Sequence, residues 1–413
     1  MKKLAMVFCC LLMTACVFAD NADLTPEEAY GRIFASDTTA LSRIFDDGFL
    51  SSISEEKIVE IAKYYKTALG NLKKVEHKEK SFKLLFEKGH TASTISINAN
   101  NKISSLWFGV PEQANDSFEE IIKTLKQLPD KVSICLMRHD RPESTFAEGQ
   151  VIAELNADTP MGCGSAFKLF LLKALEDEIA AGKRTWTDVV ELKEEWKSFP
   201  SGILQEWHAG SRHTLETIAG LMISISDNTA TDHIFNTIGR DNLRKYFPES
   251  CKDIFNTSQM LKMKFYFPDK AKAFIKADAA GKTEILNEID AILPNSIASY
   301  SILYSISQPA LIDELEWFVS TRKLCETIYS LKESKIIRIN PANGIVDKKD
   351  WHMVGFKGGS EPGVLNYTWV LQKTPDGPFY TFSCSANNSS KPVATDQLNT
   401  AVIRTINLLS QQK

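Results

Sequence analysis

Gly164-Ser165-Ala166-Phe167-Lys168-Leu169-Phe170-Leu171-Leu172 sets a hydroxyl and an amine three residues apart at the head of an apolar run. The run predicts a buried helix from Ser165 to Ala181, stopped by Gly182. Residues three apart on a helix share a face, so the Ser165 hydroxyl and the Lys168 amine meet near its N-terminus. A serine hydroxyl is a weak nucleophile until a neighbour takes its proton. Lysine can do so when burial or a nearby cation lowers its pKa from the reference of about 10.4. The string alone is unspecific. Ser54-Glu55-Glu56-Lys57 and Ser320-Thr321-Arg322-Lys323 also fit it, and both read better as helix caps or surface.

Two further segments single out Ser165. Ser226-Asp227-Asn228 follows 61 residues later, between apolar Leu221 to Ile225 and helical Thr229-Ala230-Thr231-Asp232. Its hydroxyl can relay a proton to a leaving group, while the Asn228 amide binds a substrate carbonyl and orients Lys168. Lys357-Gly358-Gly359-Ser360 ends a predicted strand. The Lys357 cation can hold a carboxylate, and the glycines Gly358 and Gly359 let substrate approach the backbone closely. The backbone N–H groups of Ser165 and Ser360 would then form an oxyanion hole.

Outward from these segments, the chain reads as two units divided near Pro111 to Asp116. Upstream, Thr25-Pro26-Glu27-Glu28 and Ser54-Glu55-Glu56-Lys57 start helices, and strands are expected around 81–87, 91–98 and 103–108. Downstream come a strand at 132–138, a helical stretch over 215–331, strands at 352–357, 364–372 and 379–385, and a final helix over 397–409. That order folds into an α/β domain whose mainly antiparallel sheet is built from both ends of the segment.

The three motifs in this order resemble those of the class A β-lactamases and penicillin-binding proteins. The resemblance spans roughly Val132 to Leu409. It is closer still to two-domain serine hydrolases of the clavam-biosynthesis type, which carry a segment similar to Lys357-Gly358-Gly359-Ser360-Glu361-Pro362-Gly363-Val364. It implies a signal peptide at 1–19, a cone-shaped α+β domain of the nuclear-transport-factor or steroid-isomerase type at 20–112, and a β-lactamase-like (DD-peptidase/transpeptidase-like) domain at 117–413. Ser165 would be the nucleophile, Lys168 its base and Ser226 the proton relay, with Asn228, Lys357, Gly358, Gly359 and Ser360 binding substrate. The reaction expected is acyl transfer from a β-lactam or related acyl compound, with no metal or organic cofactor. Alternatives are an esterase or D-alanyl-D-alanine peptidase using the same residues, and a non-catalytic envelope binding protein.

Three departures bear on the substrate. Class A β-lactamases carry a Glu-x-x-Leu-Asn loop whose Glu activates the deacylating water; here Glu284-Ile285-Leu286-Asn287 is one residue short and sits in a solvated helical stretch. Gly358 stands where a threonine or serine is usual. The third motif lies 131 residues after Ser226, which implies an insertion within 260–302. Other sites are weaker. Cys163, two residues before Ser165, reads as a structural thiol, and Trp196, Trp207 and Trp317 as core with the alternative of a cleft lining. His208 and His213 have the wrong spacing for a helical zinc face.

With 413 residues the chain can bury two cores, and a formal net charge of -4 argues against nucleic-acid binding. Lys2, Lys3 and the apolar Leu4 to Ala15, then Val17-Phe18-Ala19, read as an export signal, making the protein periplasmic. Leu12-Met13-Thr14-Ala15-Cys16 is an alternative, a lipobox anchoring the chain through Cys16, and would be the chain's one membrane attachment. Five cysteines remain beyond the leader, an odd and widely spaced set that excludes a dense disulfide framework and any CxxC zinc pattern and leaves one bridge possible.

Overall fold

The computed structural model describes residues 23–35, 41–293, 306–341, 345–346 and 348–412. The leader over 1–19, with Cys16, lies outside the described residues, as does the end of the expected insertion. No helix among the described residues is long and apolar enough to cross a membrane. The chain divides into two compact units, Met1–Asn115 and Asp116–Lys413.

In the first unit, helices Pro26–Ile33, Asp47–Ser52 and Glu55–Leu69 precede an antiparallel sheet of Leu72–Lys78, Ser81–Phe86, Gly89–Ile97 and Ile103–Phe108 in sequential order. The first and third helices start as their sequences demand: Thr25 and Ser54 accept from the backbone N–H of Glu28 and Lys57. Tyr30, Phe34, Phe45, Tyr65, Phe82 and Phe86 fill the core. Strand Leu72–Lys78 was not expected, because its charged residues mask the alternation; it is half-exposed. Glu112–Gln113, inside the expected linker, instead pairs with Gly89 and His90.

The second unit is built on a five-stranded, wholly antiparallel sheet. Its order is Met353–Glu361, Val364–Gln372, Phe379–Asn387, Lys131–His139 and Gln150–Leu155. Strands from both ends of the unit therefore share one sheet. One face packs on helices Phe118–Leu125 and Thr395–Gln411 through Trp369, Phe382, Leu398 and Ile406. A larger helical layer holds the other main core, with Phe167, Phe170, Leu171, Ile218, Met222, Ile234 and Val370. Arg404, buried in that final helix, forms a two-point ion pair with Asp116. The described cysteines Cys135, Cys163, Cys251, Cys325 and Cys384 are all buried and free, so the allowed bridge is not formed among them.

The expected insertion is helical where described. Thr257–Leu261, the π-turn Lys262–Tyr266, Pro268–Lys276 and Ala279–Asp290 follow one another beside the main core. Glu284 is exposed on the last of these helices.

Candidate active site

Ser165 does not begin the α-helix itself. Gly164–Phe167 forms a 3-10 turn and the α-helix runs Lys168–Ala180, with Lys168 and most of its neighbours buried on every side. Gly164, at φ +48°, makes the bend that presents Ser165.

The edge strand Met353–Glu361 lies against this turn. A Cβ at Gly359 would fall 2.1 Å from Cys163 O and 2.6 Å from Ser165 N, and one at Gly164 would fall 3.1 Å from Ser360 N. The two glycines thus let the strand backbone at Gly359 and Ser360 lie close against the turn that carries Ser165. The strand continues to Glu361 rather than ending at the motif, and being an edge it leaves its free side for substrate. Gly358 has a local reason too. A Cβ there would meet the Phe356 ring at 2.8 Å and Asn366 O at 3.1 Å, so the usual hydroxyl residue would need the Phe356 ring to shift.

Lys168, wholly buried, donates to Ser226 O at 2.6 Å, Ser226 Oγ at 3.1 Å and Asn228 Oδ1 at 2.8 Å. The described bonds of its amine thus run to the second motif and not to Ser165 Oγ. Burial first, and then the nearby Lys357 cation, hold its pKa well below that of a free lysine. Lys357 donates to Ser226 Oγ at 3.0 Å and to Gly358 O at 2.6 Å. Burial pushes its pKa down to about 7. Ser226 sits at φ +57°, an uncommon conformation for a side chain with a Cβ. Its oxygen accepts from two lysines, which uses both lone pairs and frees its own proton to be donated into the cleft.

Asp227 is structural. Its carboxylate caps helix Asn228–Ile238 through Ala230 N at 2.8 Å and accepts from Ile203 N at 2.7 Å and Leu204 N at 2.9 Å. Asn228 is anchored by donating to Phe199 O at 3.0 Å. These elements enclose a cleft of about 630 Å³ lined by Ser165, Ser226, Asn228, Lys357, Gly358, Gly359 and Ser360, with Leu261, Phe265, Trp317 and Tyr367 among its apolar walls. All eight residues expected from the sequence are therefore brought together except Lys168, which lies directly behind Ser226 and Asn228.

Residues 117–283 match the beta-lactamase enzyme family. The match takes in Ser165, Lys168, Ser226 and Asn228 and ends before Lys357. No curated protein matches the chain in sequence. Among solved structures, a beta-lactamase from Sphaerobacter thermophilus is 18% identical, covering 72% of this chain and 97% of that one, with a TM-score of 0.46. A beta-lactamase from Desulfarculus baarsii gives 14%, 72%, 100% and 0.47 in the same order. A PBP-A variant, described as an acyl-enzyme complex with penicillin G, gives 17%, 71%, 96% and 0.44.

The three tryptophans divide, and other groups at or behind the cleft escaped sequence reasoning. Trp317 does line the cleft, stacked on Phe167 at 3.9 Å between ring centroids. Trp207 is exposed, and Trp196 packs against His233. Lys264, from the insertion, is buried between the carboxylates of Glu316 and Glu361, and Glu361 reaches the cleft wall. Thr257 also lines the cleft, hydrogen-bonded to buried Asp232. Asp232 had a signal: it stands one helical turn after Asn228. Thr257 had none. Cys163 is fully buried with its thiol pKa pushed up by desolvation, which suits a core residue and not a nucleophile.

Proposed function

We propose that the protein is an active-site-serine hydrolase that forms an acyl-enzyme with a β-lactam or related acyl substrate. The observation that carries this reading is that Ser165, Ser226, Lys357 and Ser360 line one cleft, with the buried amine of Lys168 hydrogen-bonded to Ser226 directly behind it. Lys168 is depressed in pKa and within reach of the Ser226 hydroxyl, so as a neutral amine it takes up the Ser165 proton by way of that hydroxyl while Oγ attacks the carbonyl carbon. Ser226 then passes a proton to the leaving group and recovers one from Lys168, whose amine returns to neutral, and the N–H groups of Ser165 and Ser360 hold the oxyanion. Lys357, with Asn228, positions a substrate carboxylate and carbonyl.

Side-by-side turnover of nitrocefin, simple acyl esters and D-alanyl-D-alanine peptides tests the reading. At least one class is expected to be consumed, with Lys168→Ala reducing the rate by at least about 10²-fold. An unchanged rate in that variant would refute it. The esterase or peptidase reading gains from one observation: Glu284 is exposed and is not among the residues lining the cleft.

The order of helices followed by an antiparallel sheet supports reading the first unit as the isomerase-like domain of the two-domain clavam-type hydrolases. The leader sequence supports export to the periplasm, with Cys16 as the alternative lipid attachment.

A further inference from the structure

An acyl-enzyme turns over only if a water beside the ester loses a proton, and Glu284 is too exposed to take it. A different carboxylate stands behind the cleft wall. Asp232 is fully buried on the Asn228 helix, accepting from Thr257 N at 2.8 Å, Ser258 N at 2.9 Å and Thr257 Oγ1 at 2.5 Å. Thr257 shares the cleft with Ser165 and Asn228. Its oxygen also lies 2.9 Å from Ser198 Oγ and 3.3 Å from Asn228 O. A hydroxyl has one proton and two lone pairs. The short contact to the Asp232 carboxylate claims that proton, which leaves a lone pair of the oxygen to accept from a water in the cleft.

We propose that Thr257, backed by Asp232, activates the water that hydrolyses the acyl-Ser165 ester. This step rests on the acyl-enzyme reading above. The water oxygen bonds to the acyl carbon as one of its protons passes to Thr257 Oγ1, and the Thr257 proton passes to Asp232. The oxyanion forms at the Ser165 and Ser360 N–H groups. On collapse the bond from the acyl carbon to Ser165 Oγ breaks, and the proton held on Asp232 returns through Thr257 to Oγ. Lys168 stays a neutral amine throughout, so enzyme and charge return to their starting state and a carboxylic acid leaves.

The carboxyl is suited to a transient proton, since burial raises its pKa to about 6. The charged groups acting on it are Lys168 from the nucleophile helix and Lys262 from the inserted π-turn. It is thus ionised at neutral pH yet close enough to protonation to serve as a base.

Intact-mass kinetics with penicillin G separate the two half-reactions. In Thr257→Val, adduct formation stays within about threefold of the unaltered protein while its decay slows by about 10²–10⁴-fold. Thr257→Ser, which keeps the hydroxyl, restores decay to within about tenfold, and decay in the unaltered protein falls below pH 6 while acylation does not follow that curve. Adduct formation in each variant also reports that the fold is intact. Decay unchanged in Thr257→Val overturns the proposal, as does an adduct on the unaltered protein that never decays, and both leave the acyl-enzyme reading standing. Neither adduct nor product from the unaltered protein with any substrate of the panel above refutes that reading and this step with it.

Discussion

At Gly359 a single methyl group would overlap Cys163 O and crowd Ser165 N, so the strand lies against the nucleophile turn only because that position has no side chain. Gly359→Ala is expected to cost roughly 1–3 kcal/mol of stability as the strand is pushed off the turn. It should also lower the acylation rate by about 10²–10³-fold, as loss of one oxyanion donor does. Thermal unfolding and single-turnover acylation measure the two effects separately. Lys357 titrates near pH 7, far below a free lysine, so it is protonated below that value and neutral above it. Affinity for a carboxylate-bearing substrate should therefore weaken as pH rises through about 7. The same substrate lacking its carboxylate should show no such fall, which a pH series of KM values checks. Ser165, Lys168 and Asn228 were legible because each lies in a short local string whose spacing has a chemical reason. Thr257 was not, since its place depends on a carboxylate 25 residues away.

The inserted helical segment contributes to the site through Lys264. Its amine lies between two buried carboxylates, and Glu361, buried and beside Glu316, has its pKa pushed well up. Replacing Lys264 with methionine leaves two buried acids without a cation, a loss of about 3–5 kcal/mol. Acids with raised folded pKa values contribute more stability when protonated, and that contribution is lost as pH rises through those values. The loss in Lys264→Met should therefore be larger at pH 8 than at pH 5, which denaturant unfolding at both values would reveal. An equal loss would mean that Glu361 takes up no proton between those two pH values. The long gap after Ser226 pointed to extra residues in this stretch. It could not show that a lysine within it reaches strand Met353–Glu361, a contact made across 97 residues. The opposite happened with strands Leu72–Lys78 and Gln150–Leu155. Their polar faces hid a pairing that only neighbouring strands supply.

At the scale of the chain, the two units have separate cores, and the residues from Ser165 to Ser360 all belong to the second. A fragment spanning 116–413 should fold alone and be acylated within about threefold of the full chain, judged by its circular dichroism and adduct kinetics. Failure to fold would show that the second core is incomplete without the first unit. The α/β order of the second unit was readable because strands and helices there are long and bounded by turn residues. The sheet's sharing between both chain ends followed from connectivity rules rather than from any one segment. The central claim concerns Ser165, and mass spectrometry of the intact protein with penicillin G, followed by peptide mapping, tests it most directly. The expected result is a gain of one penicillin mass on the peptide carrying Ser165, absent in Ser165→Ala. Adduct on another residue, or adduct persisting in Ser165→Ala, would contradict it.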